Sequence, residues 1–358
     1  MIYAVILAGG RGTRFWPQSR AARPKQLLKI LTRRSLLQQS VDRIAAVIPP
    51  GNIFVLGNKI LRDSIREQLP EVPAVQVIAE PVGHNTAPCI ALAAHLIARR
   101  DPEAVLVVLP SDHIITRREV FLDCLRAAEA VAQKDGNIVV LGLRPTRPET
   151  GFGYVQVEDN RVQEMFGVKV YGVRQFVEKP DRPTADRYLS EGNYYWNGGI
   201  FVWKASTVVA VTERFLPETH RALIEIVAHA ETSTFDQALE EWYPRTDSIS
   251  VDYGIMEKAG NIFCVASDIG WSDLGSWEAL YEVLEKDESG NILKGNCLTL
   301  DAVRNLVDVP GKQVALIGVE DLVIVETEDA LLICDRKRSQ DVSRMVKELE
   351  QKGLKELL

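Results

Sequence analysis

"IYAVILAGGRGTRFWPQSRAARPKQLL" runs from Ile2 to Leu28. Its first six residues, 2–7, are apolar throughout, the pattern of a strand covered on both faces. Three glycines follow, Gly9, Gly10 and Gly12, together with five basic residues, Arg11, Arg14, Arg20, Arg23 and Lys25. Glycines at such a turn can aim backbone N–H groups at an anion. Arg14 and Lys25 can then supply charge over a polyphosphate, and Pro24 limits where Lys25 points. The spacing fits neither GxxxxGKS/T nor GxGxxG, which argues against a Walker A loop and against a dinucleotide oxidoreductase.

Outward from this stretch, apolar runs at 52–57, 74–79 and 104–110 read as further doubly buried strands. Residues 34–47 and 85–100 carry apolar spacings of three and four, as amphipathic helices do. More strands are expected at 138–143, 152–157, 173–178 and 199–203. The alternation predicts an α/β fold: a Rossmann-like mixed, mostly parallel sheet with helices on both faces. After about residue 285 the texture changes to short strands between polar turns, closed by a helix with Val342, Met345, Val346 and Leu349 on one face. The expected division is therefore 1–285 and 286–358.

The chain has 358 residues, 46% apolar and 25% charged, as in ordinary globular proteins. A formal charge of −7 argues against a general nucleic-acid binder, so any polyanion must meet a local basic cluster. Five cysteines, odd in number and without a CxxC pair, read as reduced thiols. The N-terminal apolar run is too short for a signal peptide or a membrane span. A cytoplasmic protein with no membrane partner is expected.

Ligands of open α/β sheets gather beyond the carboxyl ends of strands. Residues predicted there are "EPVGHNTAP" (80–88), "PSDH" (110–113), "VEKP" (177–180) and "WNGG" (196–199). Asp112 reads as a helix cap or as a Mg²⁺ ligand, since Mg²⁺ takes one or two carboxylates plus substrate phosphates. A second carboxylate is available from Asp268 or Asp273, in "DIGWSDLGSW" (268–277). His113 lacks a partner at metal spacing. Glu178 and Lys179 are either an exposed ion pair or a grip on sugar hydroxyls and a phosphate. Asn197 can pair with a hydroxyl, and Gly198 and Gly199 let a ring approach the backbone. Tyr194, Trp196, Phe201, Trp203, Trp271 and Trp277 are read as core. No Ser-His-Asp, Cys-His or paired acid/base set emerges. None is needed if the nucleophile is a phosphate monoester, mostly dianionic near neutral pH with a second pKa of about 6. Such a group attacking a nucleoside triphosphate needs alignment and charge neutralisation.

Taken together, these motifs resemble the sugar-1-phosphate nucleotidylyltransferases. "EPVGHNTAP", "LPSDH", "FVEKP", "WNGGIFVW", "SVDYGIMEK" and "DIGWSDLGSW" are similar to the mannose-1-phosphate guanylyltransferases, in order from residue 3 to about 280. The resemblance implies an enzyme that turns GTP and mannose 1-phosphate into GDP-mannose and pyrophosphate with Mg²⁺ or another hard divalent cation. It implies that Gly9, Gly10, Gly12, Thr13, Arg14 and Lys25 embrace the triphosphate. Asp112 and Asp273 would hold the metal, and Gly153, Glu178, Lys179, Asn197 and Gly198 the sugar phosphate. The base pocket would use Leu7, Ala8, Glu80, Asn85, Thr86 and Ala87, with Glu80 accepting the guanine N1–H and amine. Arg14, Lys25, Asp112, Lys179 and Asp273 are the implied catalytic set. Position 11 is Arg and position 15 Phe, where relatives often carry a small residue and a leucine; Arg11 stays without a role. A short left-handed β-helix at 286–335 and a homodimer are also implied. The cupin-like isomerase domain of bifunctional relatives is not expected here, nor phosphomannose isomerase activity. Alternatives are a relative using another base or hexose 1-phosphate, and a non-catalytic GDP-mannose sensor. A sensor would be expected to lack Arg14, Lys25 or a metal carboxylate.

Overall fold

The computed structural model describes every residue except Arg11 and Asp135, so Arg11 lies outside the described residues. In chain order the first strands are β1 (Ile2–Leu7), β2 (Ile53–Asn58), β3 (Val77–Glu80), β4 (Val105–Pro110) and β5 (Ile114–Ile115). Next come β6 (Ile138–Leu143), β7 (Tyr154–Met165), β8 (Val168–Val177), β9 (Tyr194–Lys204), β10 (Ile262–Ala266) and β11 (Trp271–Ser272). The last are β12 (Ile292–Leu300), β13 (Leu306–Ile317), β14 (Leu322–Glu326) and β15 (Leu331–Asp335). The helices are α1 (Leu36–Ile44), α2 (Arg62–Gln68), α3 (Thr86–Ala98), α4 (Arg118–Ala132) and α5 (Arg182–Glu191). They continue with α6 (Ala205–Phe215), α7 (Pro217–Ala228), α8 (Phe235–Trp242), α9 (Trp277–Val283) and α10 (Val342–Gln351). Among the described residues no helix is long and apolar enough to cross a membrane.

Packing divides the chain into two compact units that cut across the sequence order. Unit 1 comprises Met1–Gly9, Ser40–Ser111 and Ile115–Trp271; unit 2 comprises Gly10–Gln39, Asp112–Ile114 and Ser272–Leu358.

In unit 1, among the described residues, nine strands form one sheet in the order β3-β2-β1-β4-β9-β6-β10-β8-β7. β3, β2, β1 and β4 run parallel, β9 lies antiparallel between β4 and β6, and β6 pairs parallel with β10. Side chains alternate across it. Tyr3, Val5, Leu106 and Val108 join α3, α6 and α7 in one apolar cluster. Ala4, Ile6, Val105 and Val107 are equally buried but outside that cluster, so the opposite face is covered too. The register pairs Leu7 with Pro110 and Asn58 with Glu80, so the carboxyl ends of the parallel strands finish level. The expected strand at 74–79 begins later, because 74–76 forms a 3-10 turn behind Pro73.

Unit 2 is built around a second apolar cluster in which Phe15, Leu28 and Ile30 pack with Leu274, Trp277, Leu306, Val325 and Val342. Phe15 is fully buried and lies tilted on Trp277, with ring centroids 4.9 Å apart. Polar contacts fix the same segment. Trp16 Nε1 donates to the Leu357 carbonyl at 2.8 Å, Trp277 Nε1 to the Trp16 carbonyl at 3.2 Å, and Gln18 Nε2 to Asp308 at 3.1 Å. Arg20, grouped by sequence with the loop's surplus charge, is instead an anchor, 2.8 Å from Asp329. β12, β13 and β14 pair in parallel, with β15 antiparallel at the edge, giving a β-helix-like domain followed by α10. Val342 and Val346 are buried, while Met345 on the same face is 55% exposed.

Phe15→Ala should destabilise the protein by about 3–5 kcal/mol through the cavity it leaves. Phe15→Leu should cost less than half of that. Urea unfolding of both variants checks the difference; equal, small effects would show that this aromatic does not hold the segment.

Candidate active site

In unit 2 the glycine segment is shaped around one lysine. Pro24, in extended backbone at φ −70, leads into the 3-10 turn Lys25–Leu27, which buries all three of its side chains. Lys25 Nζ lies 2.8 Å from Asp112 Oδ2 and donates to the Asp273 carbonyl at 2.7 Å. Its side chain is 7% exposed. An ammonium so buried requires such partners. Gly12 sits above it at φ 58, and a Cβ there would come 2.4 Å from the Lys25 Cβ. Both the left-handed backbone and the lack of space therefore demand glycine. Gln26 Nε2 donates to the Gly10 carbonyl at 3.0 Å, closing the loop. Thr13 and Arg14 follow on a 3-10 turn, with Arg14 exposed.

Asp112 is 34% exposed. Burial pushes its carboxyl up, but the charges of Lys25 and His113 and the Lys25 hydrogen bond outweigh that, leaving it below its ordinary value. Of the two possible second carboxylates, Asp268 is exposed and paired with Arg117 at 2.7 Å. Asp273 is the one joined, through its carbonyl, to Lys25. Among the described residues no three metal-binding side chains converge.

Unit 1 holds two further clusters. At the end of β3, Glu80 is 7% exposed, and its Oε1 accepts from the Tyr243 hydroxyl. A Cβ on Gly9 would lie 3.7 Å from the Glu80 Oε2. Burial raises the Glu80 carboxyl from its ordinary 4.5 to about 7, against the hydrogen bonds of Tyr243 and Cys89. Beside it, Leu7 ends β1 and Ala8 donates to the Leu56 carbonyl at 2.7 Å. Asn85 caps α3, its side chain accepting from Thr86 N at 3.0 Å. Thr86 Oγ1 accepts from Val251 N at 2.9 Å, and Ala87 N donates to Ile249 at 3.1 Å. These two bonds fix the start of the π-helical turn Asp252–Met256.

That turn delivers Asp252 to the second cluster. Asn197 Nδ2 donates to Asp252 Oδ1 at 2.8 Å, and Asn197 Oδ1 accepts from Gly199 N at 2.9 Å. Glu178 pairs with Lys179, and Glu178 N donates to Glu257 at 3.1 Å. The Glu178 Oε2 is buried without a hydrogen-bond partner. Sheet register assembles this set: Tyr154 pairs with both Val177 and Trp196, which sets Gly153 against Glu178 and Asn197. A Cβ on Gly153 would fall 2.4 Å from the Glu178 Oε2. Gly198 is equally crowded, its Cβ position 2.8 Å from the Leu141 carbonyl. Lys179 takes a positive φ of 46, a conformation an L residue holds only where its surroundings impose it. Burial, then the charge of Glu178, raise the Asp252 carboxyl to about 6.

Sequence reasoning missed Tyr243, Cys89 and Asp252. Only Asp252 left a signal, as the acidic residue of "SVDYGIMEK". Tyr194, Trp196, Phe201, Trp203 and Trp277 are core as expected, while Trp271 is half-buried.

The Glu80 shift carries a sign. Between pH 4.5 and 7 the unfolded carboxyl loses its proton while the folded one keeps it, so stability falls as pH rises through that window. Glu80→Gln removes this slope. Its stability relative to the parent should therefore rise by roughly 1.4 kcal/mol per pH unit across the window. Denaturant melts at several pH values check this, and a pH-independent difference would contradict it.

Comparison with known proteins agrees with the geometry. The nucleotidyl transferase family model matches residues 3–290, and a MannoseP isomerase/GMP-like beta-helix domain matches 295–349. The mannose-1-phosphate guanylyltransferase of Klebsiella pneumoniae is 40% identical over 354 residues, 98% of this chain and 74% of that protein. That of Escherichia coli is 40% identical over 358 residues, with the same coverage of both chains. A crystal structure described as mannose-1-phosphate geranyltransferase from Thermus thermophilus superposes with a TM-score of 0.86 at 34% identity, covering 98% of this chain and 99% of that one. By sequence and by fold, the chain belongs to the nucleotidyl transferase family, among the mannose-1-phosphate guanylyltransferases.

Proposed function

We propose that the chain transfers GMP from GTP to α-D-mannose 1-phosphate, giving GDP-mannose and pyrophosphate. A phosphate oxygen of mannose 1-phosphate attacks the α-phosphorus of GTP. The bond from that phosphorus to the bridging oxygen breaks, and pyrophosphate leaves with the electron pair. The observation that carries this reading is the buried Lys25, fixed between the Asp112 carboxylate and the Asp273 carbonyl under Gly12. That is a pre-set charge at a glycine loop, which phosphoryl transfer uses and a purely structural turn does not need.

In this reading Gly9, Gly10, Gly12, Thr13, Arg14 and Lys25 hold the triphosphate. Asp112 and Asp273 would hold Mg²⁺ or another hard divalent cation, and the fit rests on hard oxygen donors with Asp112 kept ionised and partly exposed. That cation would neutralise phosphate charge. Glu80, positioned by Tyr243 and Cys89, accepts the guanine N1–H and amine, with Leu7, Ala8, Asn85, Thr86 and Ala87 completing the base pocket. Lys179 takes the sugar phosphate, while Glu178, Asn197 and Asp252 serve sugar hydroxyls over Gly153 and Gly198. The orphaned Glu178 Oε2 supports a hydroxyl donor as its missing partner. We further propose that residues 1–285 form the catalytic region and 286–358 a β-helix-like domain that forms a homodimer. In the register of β12 and β13, exposed Leu300 pairs with exposed Ile317, which supports such a contact. Cytoplasmic placement is supported by five cysteines that are all free thiols.

Lys25→Ala and Asp112→Ala should each lower kcat by about 100-fold or more with melting temperature retained, as expected for charge acting in the transition state. Lys179→Ala should instead raise KM for mannose 1-phosphate by about tenfold. Pyrophosphate release measures all three; near-parent rates, or turnover with UTP or dTTP matching GTP, would overturn the assignment. Leu300→Glu should shift the light-scattering mass from dimer to monomer, and an unchanged mass would remove this face from the contact.

A further inference from the structure

Unit 1 contains a cavity of about 530 Å³ lined by α2, the end of α3, and the turn between α7 and α8. That volume is within the range of small-molecule sites. None of its lining residues belongs to the clusters assigned above. Phe54, Ile78, Leu96 and Phe235 give it an apolar floor.

The charges around this floor do not cancel. Arg62, Arg66, Arg99 and Arg100 line the cavity against two carboxylates, Glu231 and Asp236. Asp236 is taken by Arg62 at 3.0 Å, and Glu231 by Arg100 at 2.9 Å. Arg66 donates to the Ala74 carbonyl at 2.9 Å, and Arg99 to the Val227 carbonyl. Neither has a carboxylate partner among the described residues.

Hydrogen bonding is incomplete at the same place. The Arg62 Nε, Arg66 Nε and Gln76 Oε1 are buried with no partner. Gln76 is 5% exposed, and its Nε2 is fixed on the Gly51 carbonyl at 2.8 Å, which identifies its oxygen as the orphan. Buried polar groups of folded proteins are nearly always satisfied. The two arginine Nε–H groups are donors on residues lining one cavity, and they point to a ligand that brings acceptors.

We propose that this cavity binds an amphipathic anion: a flat apolar ring system carrying one phosphate, sulfonate or carboxylate. The ring rests on Phe54 and Phe235, where aromatic faces favour it. The anion meets the planar donor forks of Arg66 and Arg99, which suit such oxyanions. A cation is disfavoured by four guanidiniums, and a bare sugar by the apolar floor.

The test titrates the full chain with 8-anilinonaphthalene-1-sulfonate and follows its fluorescence. One saturable site is expected, undisturbed by saturating GTP. Arg66→Gln and Arg99→Gln should each weaken it about tenfold, with nucleotidyl transfer unchanged. Val75→Trp, substituted at a rim residue 79% exposed, should close the mouth and abolish binding. N-phenyl-1-naphthylamine, the uncharged counterpart, should bind at least about tenfold more weakly. Displacement by GTP, equal affinity for the uncharged counterpart, or indifference to Arg99→Gln would overturn the proposal. Arg99 is exposed, so its variant keeps the test valid should Arg66→Gln fail to fold.

Discussion

An ammonium removed from water must be given acceptors, and Lys25 has two: a carboxylate oxygen of Asp112 and the carbonyl of Asp273. That requirement draws three distant stretches of chain into unit 2. The glycine segment, the residues following β4 and the chain beyond β11 must all meet at one nitrogen. Gly12 can be nothing larger, because the Lys25 side chain occupies the space a Cβ would take. The apolar partners follow. Phe15 must be buried for the loop to stay over Lys25, and Trp277 is the surface on which it lies.

Unit 1 treats its acids in the opposite way. Asp112 is held ionised by a cation, whereas Glu80 and Asp252 are raised chiefly by burial. Glu80 is steadied by Tyr243, and Asp252 by Asn197. An acid near neutrality, fixed by a neutral donor, is suited to recognition of hydroxyl and ring N–H groups. An acid kept charged is suited to cations and phosphates. The two kinds of carboxylate thus match the two kinds of chemistry that a nucleotidyl transfer requires.

Much of this was legible because it is local. A continuous apolar strand, a glycine turn and a proline before Lys25 are neighbours in sequence, and the backbone rules that join them act over a few residues. The same holds for Asp112 directly after β4, and for Asn197 and Gly198 within β9. The part played by Arg20 was not legible, because its partner, Asp329, is 309 residues away. Met345 shares a face with Val342 and Val346 yet is exposed, because a period of 3.6 residues gives a face but not how much of it is covered. Tyr243 and Cys89 left no mark, since a buried tyrosine and thiol look like core until a carboxyl is found between them.

The amino-acid sequence by itself determined the alternation of strands and helices, the glycine and basic segment, and the family to which the motifs belong. All of these depend on periodicity or on residues adjacent in the chain. The tertiary structure decided which charges are buried, which are paired and which are anchors. It set the Asp273 carbonyl against Lys25 and Asp268 against Arg117, turned Arg20 into a tether, and joined the segment after β1 to the C-terminal strands in one core. Burial and charge pairing are set by groups far apart in the chain, and only the folded packing gives them their neighbours.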